Sequence, residues 1–228
     1  MTAVRITVLK GLNTMIKAIV FDMGGVLIDL DIERSRNAFI GQLGYEAIDS
    51  LLDASHQKGF YSDLEEGKIS EDEFRRQILA GSRPGALPQD VDHAMWALLV
   101  GMEPYKAELL KRLSERYDLY LLSNNNGISM VRCREIFSAA GVPMDEIFRM
   151  LFLSYQMKML KPSGEIFGKM ISEVGLEPAE MLFIDDSQAN ADAAAAAGLN
   201  VLHYVQGTDL AAAVSRALGK NHGDSGRC

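Results

Sequence analysis

Three short apolar runs in this chain each end on a polar residue, and that pattern constrains the fold more than any other feature. Residues 17–22 read Lys-Ala-Ile-Val-Phe-Asp and run into Gly24-Gly25. Residues 118–123 read Asp-Leu-Tyr-Leu-Leu-Ser, and residues 181–185 read Met-Leu-Phe-Ile-Asp. A continuous apolar run bounded by a turn signal fits a strand buried on both faces, as in parallel sheets. Residues 150–153 and 201–205 are weaker strands of the same kind. Helical patterns lie between them, over 105–117, 129–140, 162–174 and the alanine-rich 189–197. Pro162 suits a first helical position, and Gly198 a helix stop. Strands alternating with helices predict an α/β fold with a doubly wound, mostly parallel sheet.

One stretch breaks the alternation. Between about Asp31 and Met102 no strand is evident, and helices are expected over 34–43, 47–54, 70–79 and 89–99. Ser70 followed by Glu73 is a capping-box pattern. The sequence therefore divides into a core of residues 15–30 and 103–221 and a small all-helical cap of residues 31–102. Residues 1–14 read as an N-terminal extension, with Met15 as an alternative start, and the polar residues 222–228 as a flexible tail.

Composition narrows the function classes. A 228-residue chain with 48% hydrophobic residues can bury a core without disulfides, and its two cysteines, Cys133 and Cys228, read as free thiols. A net charge of −8 and a pI near 5.1 disfavour nucleic-acid binding and acidic membrane surfaces. No run approaches the ~20 apolar residues of a membrane span, and the first fourteen residues lack a signal-peptide centre. A cytoplasmic setting is expected. Oligomeric state is not readable.

In a doubly wound sheet, ligands bind beyond the carboxyl ends of the strands. Asp22, Ser123-Asn124 and Asp185-Asp186 end the three best strands, so they should converge on one edge. Three carboxylates in one place repel each other unless a cation holds them, and hard oxygen ligands select magnesium or calcium. Lys161, just before a helix start, would balance the charge of a phosphoryl group.

These residues resemble the haloacid dehalogenase superfamily. Phe-Asp-Met-Gly-Gly-Val-Leu (21–27) is similar to its first motif, Leu-Leu-Ser-Asn (121–124) to its second, Lys161-Pro162 to its third and Phe-Ile-Asp-Asp-Ser (183–187) to its fourth. The resemblance spans about residues 16–205 and implies a Rossmann-like core with a helical cap. Residues 66–70 and 155–162 point more narrowly to the branch resembling α-glucose-1-phosphate phosphatases. The resemblance implies a Mg2+-dependent phosphatase of a small phosphorylated metabolite, such as a sugar phosphate. Asp22 would be the nucleophile and Lys161 the charge stabiliser. Ser123 and the Asn124 amide would orient the phosphoryl group. Metal would be held by Asp22, the Gly24 carbonyl and Asp186, with Asp185 acting through water. Asn190 would either tether the last loop or lie on the surface, the latter being preferred.

Gly24 departs from the pattern. Most phosphatases of the superfamily carry there a second Asp, which protonates the leaving group and then activates water. His56 and Glu66 are the first replacements to consider, and Lys58, Phe60, Tyr61 and Trp96 are candidate substrate contacts. Two alternatives stay open: a metal-independent 2-haloacid dehalogenase-type hydrolase, which also lacks the second Asp, and a phospho-ligand-binding protein of low turnover.

Overall fold

The computed structural model describes residues 5–7, 15–52 and 57–220. Its strands are β1 (Arg5–Thr7), β2 (Ala18–Phe21), β3 (Asp29–Leu30), β4 (Leu99–Gly101), β5 (Asp118–Ser123), β6 (Met150–Leu153), β7 (Met181–Asp185) and β8 (Asn200–His203). Its helices are α1 (Ile32–Leu43), α2 (Gly59–Glu65), α3 (Glu71–Ala80), α4 (Pro88–Trp96), α5 (Pro104–Ser114), α6 (Gly127–Ala139), α7 (Met144–Ile147), α8 (Ser154–Met157), α9 (Gly164–Val174), α10 (Gln188–Ala196) and α11 (Leu210–Lys220).

The main sheet runs β1-β8-β7-β2-β5-β6. All neighbours are parallel except β1, which pairs antiparallel with β8 at the edge. The sequence assigned no element to the first fourteen residues, yet three of them form this edge strand. Strand β2 is central. Ala18, Ile19, Val20 and Phe21 are all fully buried because successive side chains enter opposite cores. Ile19 and Phe21 join Leu109, Leu110, Phe137 and Val214 on one face. Ala18 and Val20 join Ile166, Phe167, Ala191 and Ala194 on the other. The small side chains Ala191 and Ala194 bring α10 close to the sheet, which accounts for the alanine run.

The insertion between β3 and β4 has its own apolar cluster, including Phe39, Leu43, Tyr61, Leu64, Phe74, Ile78 and Met95. The cluster reaches Ile128 of α6, and the Trp96 indole N–H donates to the Ile128 carbonyl at 2.8 Å. Two expectations need correction here. Residues 47–54 were expected to form a helix; residues 53–54 lie outside the described residues, and the described part has a short 3₁₀ turn, Glu46–Ser50. There the Ser50 hydroxyl bonds the Ala47 carbonyl, a local alternative to helical pairing. The helix expected over 89–99 stops at Trp96, because Leu99 pairs with Leu30 in a two-stranded ribbon of β3 and β4. No strand was expected in that region. The ribbon is anchored from the core: buried Lys106 of α5 pairs with Asp29 at 2.7 Å. Among the described residues, no helix is long and apolar enough to cross a membrane.

Candidate active site

The register of the central strands decides which groups meet. Phe21 pairs with Leu121 on one side and Ile184 on the other. Asp22 therefore leaves the sheet beside Asp185, with Ser123 on the neighbouring strand end. Carboxylate oxygens of Asp22, Asp185 and Asp186 lie within 4.8 Å of one another. The predicted convergence of the strand-end groups is present in the structure.

Lys161 stands among them. It is 1% exposed, and its ammonium donates to Asp185 Oδ2 at 2.6 Å and Asp22 Oδ1 at 2.9 Å. Its backbone is held by Asn124, whose side chain accepts from Lys161 N (2.9 Å) and donates to Lys161 O (3.0 Å). Sequence reasoning gave Asn124 a backbone role only; its side chain is what locks the lysine loop to the end of β5. Pro162 is not the first helical position of α9, since Ser163 caps that helix through Glu165 N.

Asp185 is fully buried, and both its oxygens are occupied by protein donors. Oδ1 accepts from Ser187 N at 2.8 Å, and Asn190 Nδ2 lies 3.0 and 3.1 Å from Oδ1 and Oδ2. The surface placement preferred for Asn190 is therefore wrong: it is 4% exposed and tethers Asp185. Asn190→Ala strips donors from a buried carboxylate, and hydrogen bonds to charged groups contribute about 1.5–3 kcal/mol. Its urea midpoint should fall accordingly, and an unchanged midpoint would refute the tether.

The electrostatics show an excess of negative charge. Burial pushes the Asp22 carboxyl up to about 7; Lys161 opposes this, while Asp185 and Asp186 add repulsion. Burial and Asp185 push Asp186 up to about 6, again against Lys161. Burial works to lower the pKa of Lys161, but Asp185 and Asp22 outweigh it and the net shift is upward. Among the described residues, one shared cation faces three carboxylates. The donor set therefore fits a divalent oxygen-seeking cation, which would cancel the remaining two charges. Space is kept for Asp186 by Gly25, at φ 71°, where a Cβ would collide with the Asp186 carboxylate.

A cavity of about 120 Å³ opens over these groups, lined on the sheet side by Asp22, Ser123, Lys161 and Asp186 and from the insertion by Tyr61 and Glu65. That is small beside the ~300–1,000 Å³ of drug-sized pockets. Of the expected contacts, Tyr61 reaches the cavity. Lys58 and Trp96 do not line it, and Phe60 packs on Phe74 at 5.4 Å between ring centres. Glu66 pairs with Lys68 at 2.7 Å. His56 lies outside the described residues. Glu65 was not foreseen. The helical spacing of Phe60, Tyr61 and Leu64 marks α2, but it does not single out Glu65 from Glu66.

The sequence pattern of haloacid dehalogenase-like hydrolases matches residues 16–198, and the chain belongs to that family. It is 37% identical over 198 residues to a D-ribitol-5-phosphate phosphatase of Bacteroides thetaiotaomicron, covering 86% of this chain and 95% of that protein. Among solved structures, it resembles a family enzyme from the same organism, an aspartate-to-alanine mutant in complex with magnesium and inorganic phosphate. There the TM-score is 0.81 at 34% identity, over 85% of this chain and 96% of that one. A HAD-like hydrolase from Porphyromonas gingivalis matches with a TM-score of 0.82 at 34% identity, over 90% and 98% of the two chains.

Proposed function

We propose that this chain is a magnesium-dependent phosphatase of a small phosphorylated metabolite, a sugar or polyol phosphate, working through an aspartyl-phosphate on Asp22. The observation that carries this reading is Asp22 at the end of the central strand, held by Lys161 beside a carboxylate cluster with two negative charges in excess. A relative named for phosphatase action on ribitol 5-phosphate supports the substrate class, as does the small cavity. The dehalogenase-type alternative leaves the excess charge without a partner.

In this reading Asp22 attacks phosphorus while Ser123 and the Asn124 amide hold phosphoryl oxygens. Lys161 keeps Asp22 oriented and offsets charge as the group transfers. Asp22, the Gly24 carbonyl and Asp186 would hold magnesium, with Asp185 steering Lys161 from behind. When bound, the cation would shield the anionic phosphate from the anionic nucleophile. Residues 31–102 would serve as the cap over a core of 15–30 and 103–221. A cytoplasmic setting suits Cys133, a buried free cysteine.

Phosphate release from a panel of sugar and polyol phosphates tests the proposal. Release is expected with magnesium and should drop to background with EDTA, returning when magnesium is restored. Turnover unaffected by EDTA would overturn the metal assignment, and chloride release from 2-haloacids without metal would favour the dehalogenase.

A further inference from the structure

An in-line displacement on phosphorus sends the leaving oxygen away from Asp22, toward the far wall of the cavity. That leaving oxygen needs a proton when it is an alkoxide. Gly24 has no side chain and offers none. The proton donor must therefore come from elsewhere.

Among the described residues lining the cavity, the ionisable side chains are Asp22, Tyr61, Glu65, Lys161 and Asp186. Asp22 and Asp186 belong to the carboxylate cluster, and Lys161 is committed to Asp22 and Asp185. Burial, and then the charge of Glu65, push the Tyr61 hydroxyl far up, so it does not cycle its proton near neutral pH. Glu65 remains, and it comes from the wall formed by α2.

Its position is fixed by the core. The Glu65 carbonyl accepts from the Ser154 hydroxyl at 2.6 Å, and the same hydroxyl accepts from Asn125 N at 2.9 Å. Two residues on, Lys158 donates to the Gly67 carbonyl. Gly67 has φ 67°, and a Cβ there would collide with the Tyr155 carbonyl. The end of α2 is thus clamped against the loop that follows Ser123.

We propose that Glu65 is the general acid and base of this phosphatase, an inference that rests on the phosphatase reading above. In the first step Asp22 bonds to phosphorus, the bond from phosphorus to the ester oxygen breaks, and that oxygen takes the Glu65 proton and leaves as an alcohol. In the second, the Glu65 carboxylate takes a proton from water as the water oxygen bonds to phosphorus. The bond from phosphorus to Asp22 then breaks, its electron pair returns to the Asp22 carboxylate, and phosphate departs. The electrostatics are consistent with this cycle. Burial, then the Asp22 carboxylate, push the Glu65 carboxyl up to about 8, with Lys161 acting against them.

Single-turnover release of the leaving group, with enzyme in excess and magnesium present, isolates the first step. Two probes are compared: ribitol 5-phosphate, whose alkoxide needs a proton, and acetyl phosphate, whose acetate does not. Glu65→Gln should slow polyol release by roughly 10²–10⁴-fold and acetate release by less than about tenfold. With acetyl phosphate it should also accumulate a phosphoryl adduct on the chain, seen by intact mass. Glu65→Asp should recover part of the polyol rate, and serves in place of the Gln variant if that one does not fold. Equal slowing on both probes, or none on the polyol ester, overturns the role of Glu65 while leaving the phosphatase standing. Wild-type protein inactive on both probes overturns the phosphatase reading, and Glu65 with it.

Discussion

Replacing Asp22 by Asn is expected to reduce turnover by about 10⁴-fold or more, the usual scale for removing a nucleophile. Asn keeps the shape and can still accept the Lys161 hydrogen bond through its carbonyl oxygen, but its amide is not a nucleophile toward phosphorus. The loss should fall on kcat. Asp22 is buried with a carboxyl already pushed up by burial and by its acidic neighbours, so neutralising it removes repulsion. Folding stability should therefore hold, and inorganic phosphate with magnesium should still raise the melting temperature of the variant. Activity above a tenth of wild type would mean that another group attacks phosphorus.

Lys161→Met attacks stability and chemistry together. Among the described residues the ammonium is the single cation shared by Asp22 and Asp185, and Lys161 and Asp185 are almost wholly shielded from water. Breaking a buried pair by removing one partner costs about 3–5 kcal/mol, because a charge is left unpaired. For a chain of this size that corresponds to a drop of about 6–20 °C in melting temperature. Magnesium should restore part of it, since a divalent cation can take over some of the compensation. Turnover should fall steeply even where the protein is folded. A variant that melts with the wild type in the absence of metal would show that the lysine does not carry the charge balance described here.

How much of this could be read in the sequence follows from what each element looks like locally. Strands β2, β5 and β7 are buried on both faces, so their runs are apolar throughout and stand out. Their polar ends then place Asp22, Ser123 and Asp185 by topology alone. Strands β3 and β4 are two and three residues long, and only their mutual pairing makes them strands. Helix α11 was legible, since Leu210, Ala213, Val214 and Ala217 have helical spacing and are buried, but it was not assigned. Glu65 lay beyond reach for a different reason. It is next to Glu66 in sequence, and only the packing of α2 decides which of the two faces the cavity and which pairs with Lys68. Asn190 likewise looked like any polar residue on an alanine-rich helix until the buried carboxylate beneath it was in place.

The central position of β2 also bears on how the protein comes into being. This strand is made before its two neighbours, β5 and β7, which are about 100 and 160 residues further along the chain. At the ordinary pace of the ribosome, ~5–20 residues per second, roughly 10–30 s pass before both have emerged. Through that interval an apolar ribbon has unpaired backbone on at least one side, the kind of surface that chaperones bind and that promotes aggregation. The helical insertion, with its own apolar cluster, emerges during the wait and gives the nascent chain something to fold around. Asp22 is thus synthesised well before the two strands that complete its setting.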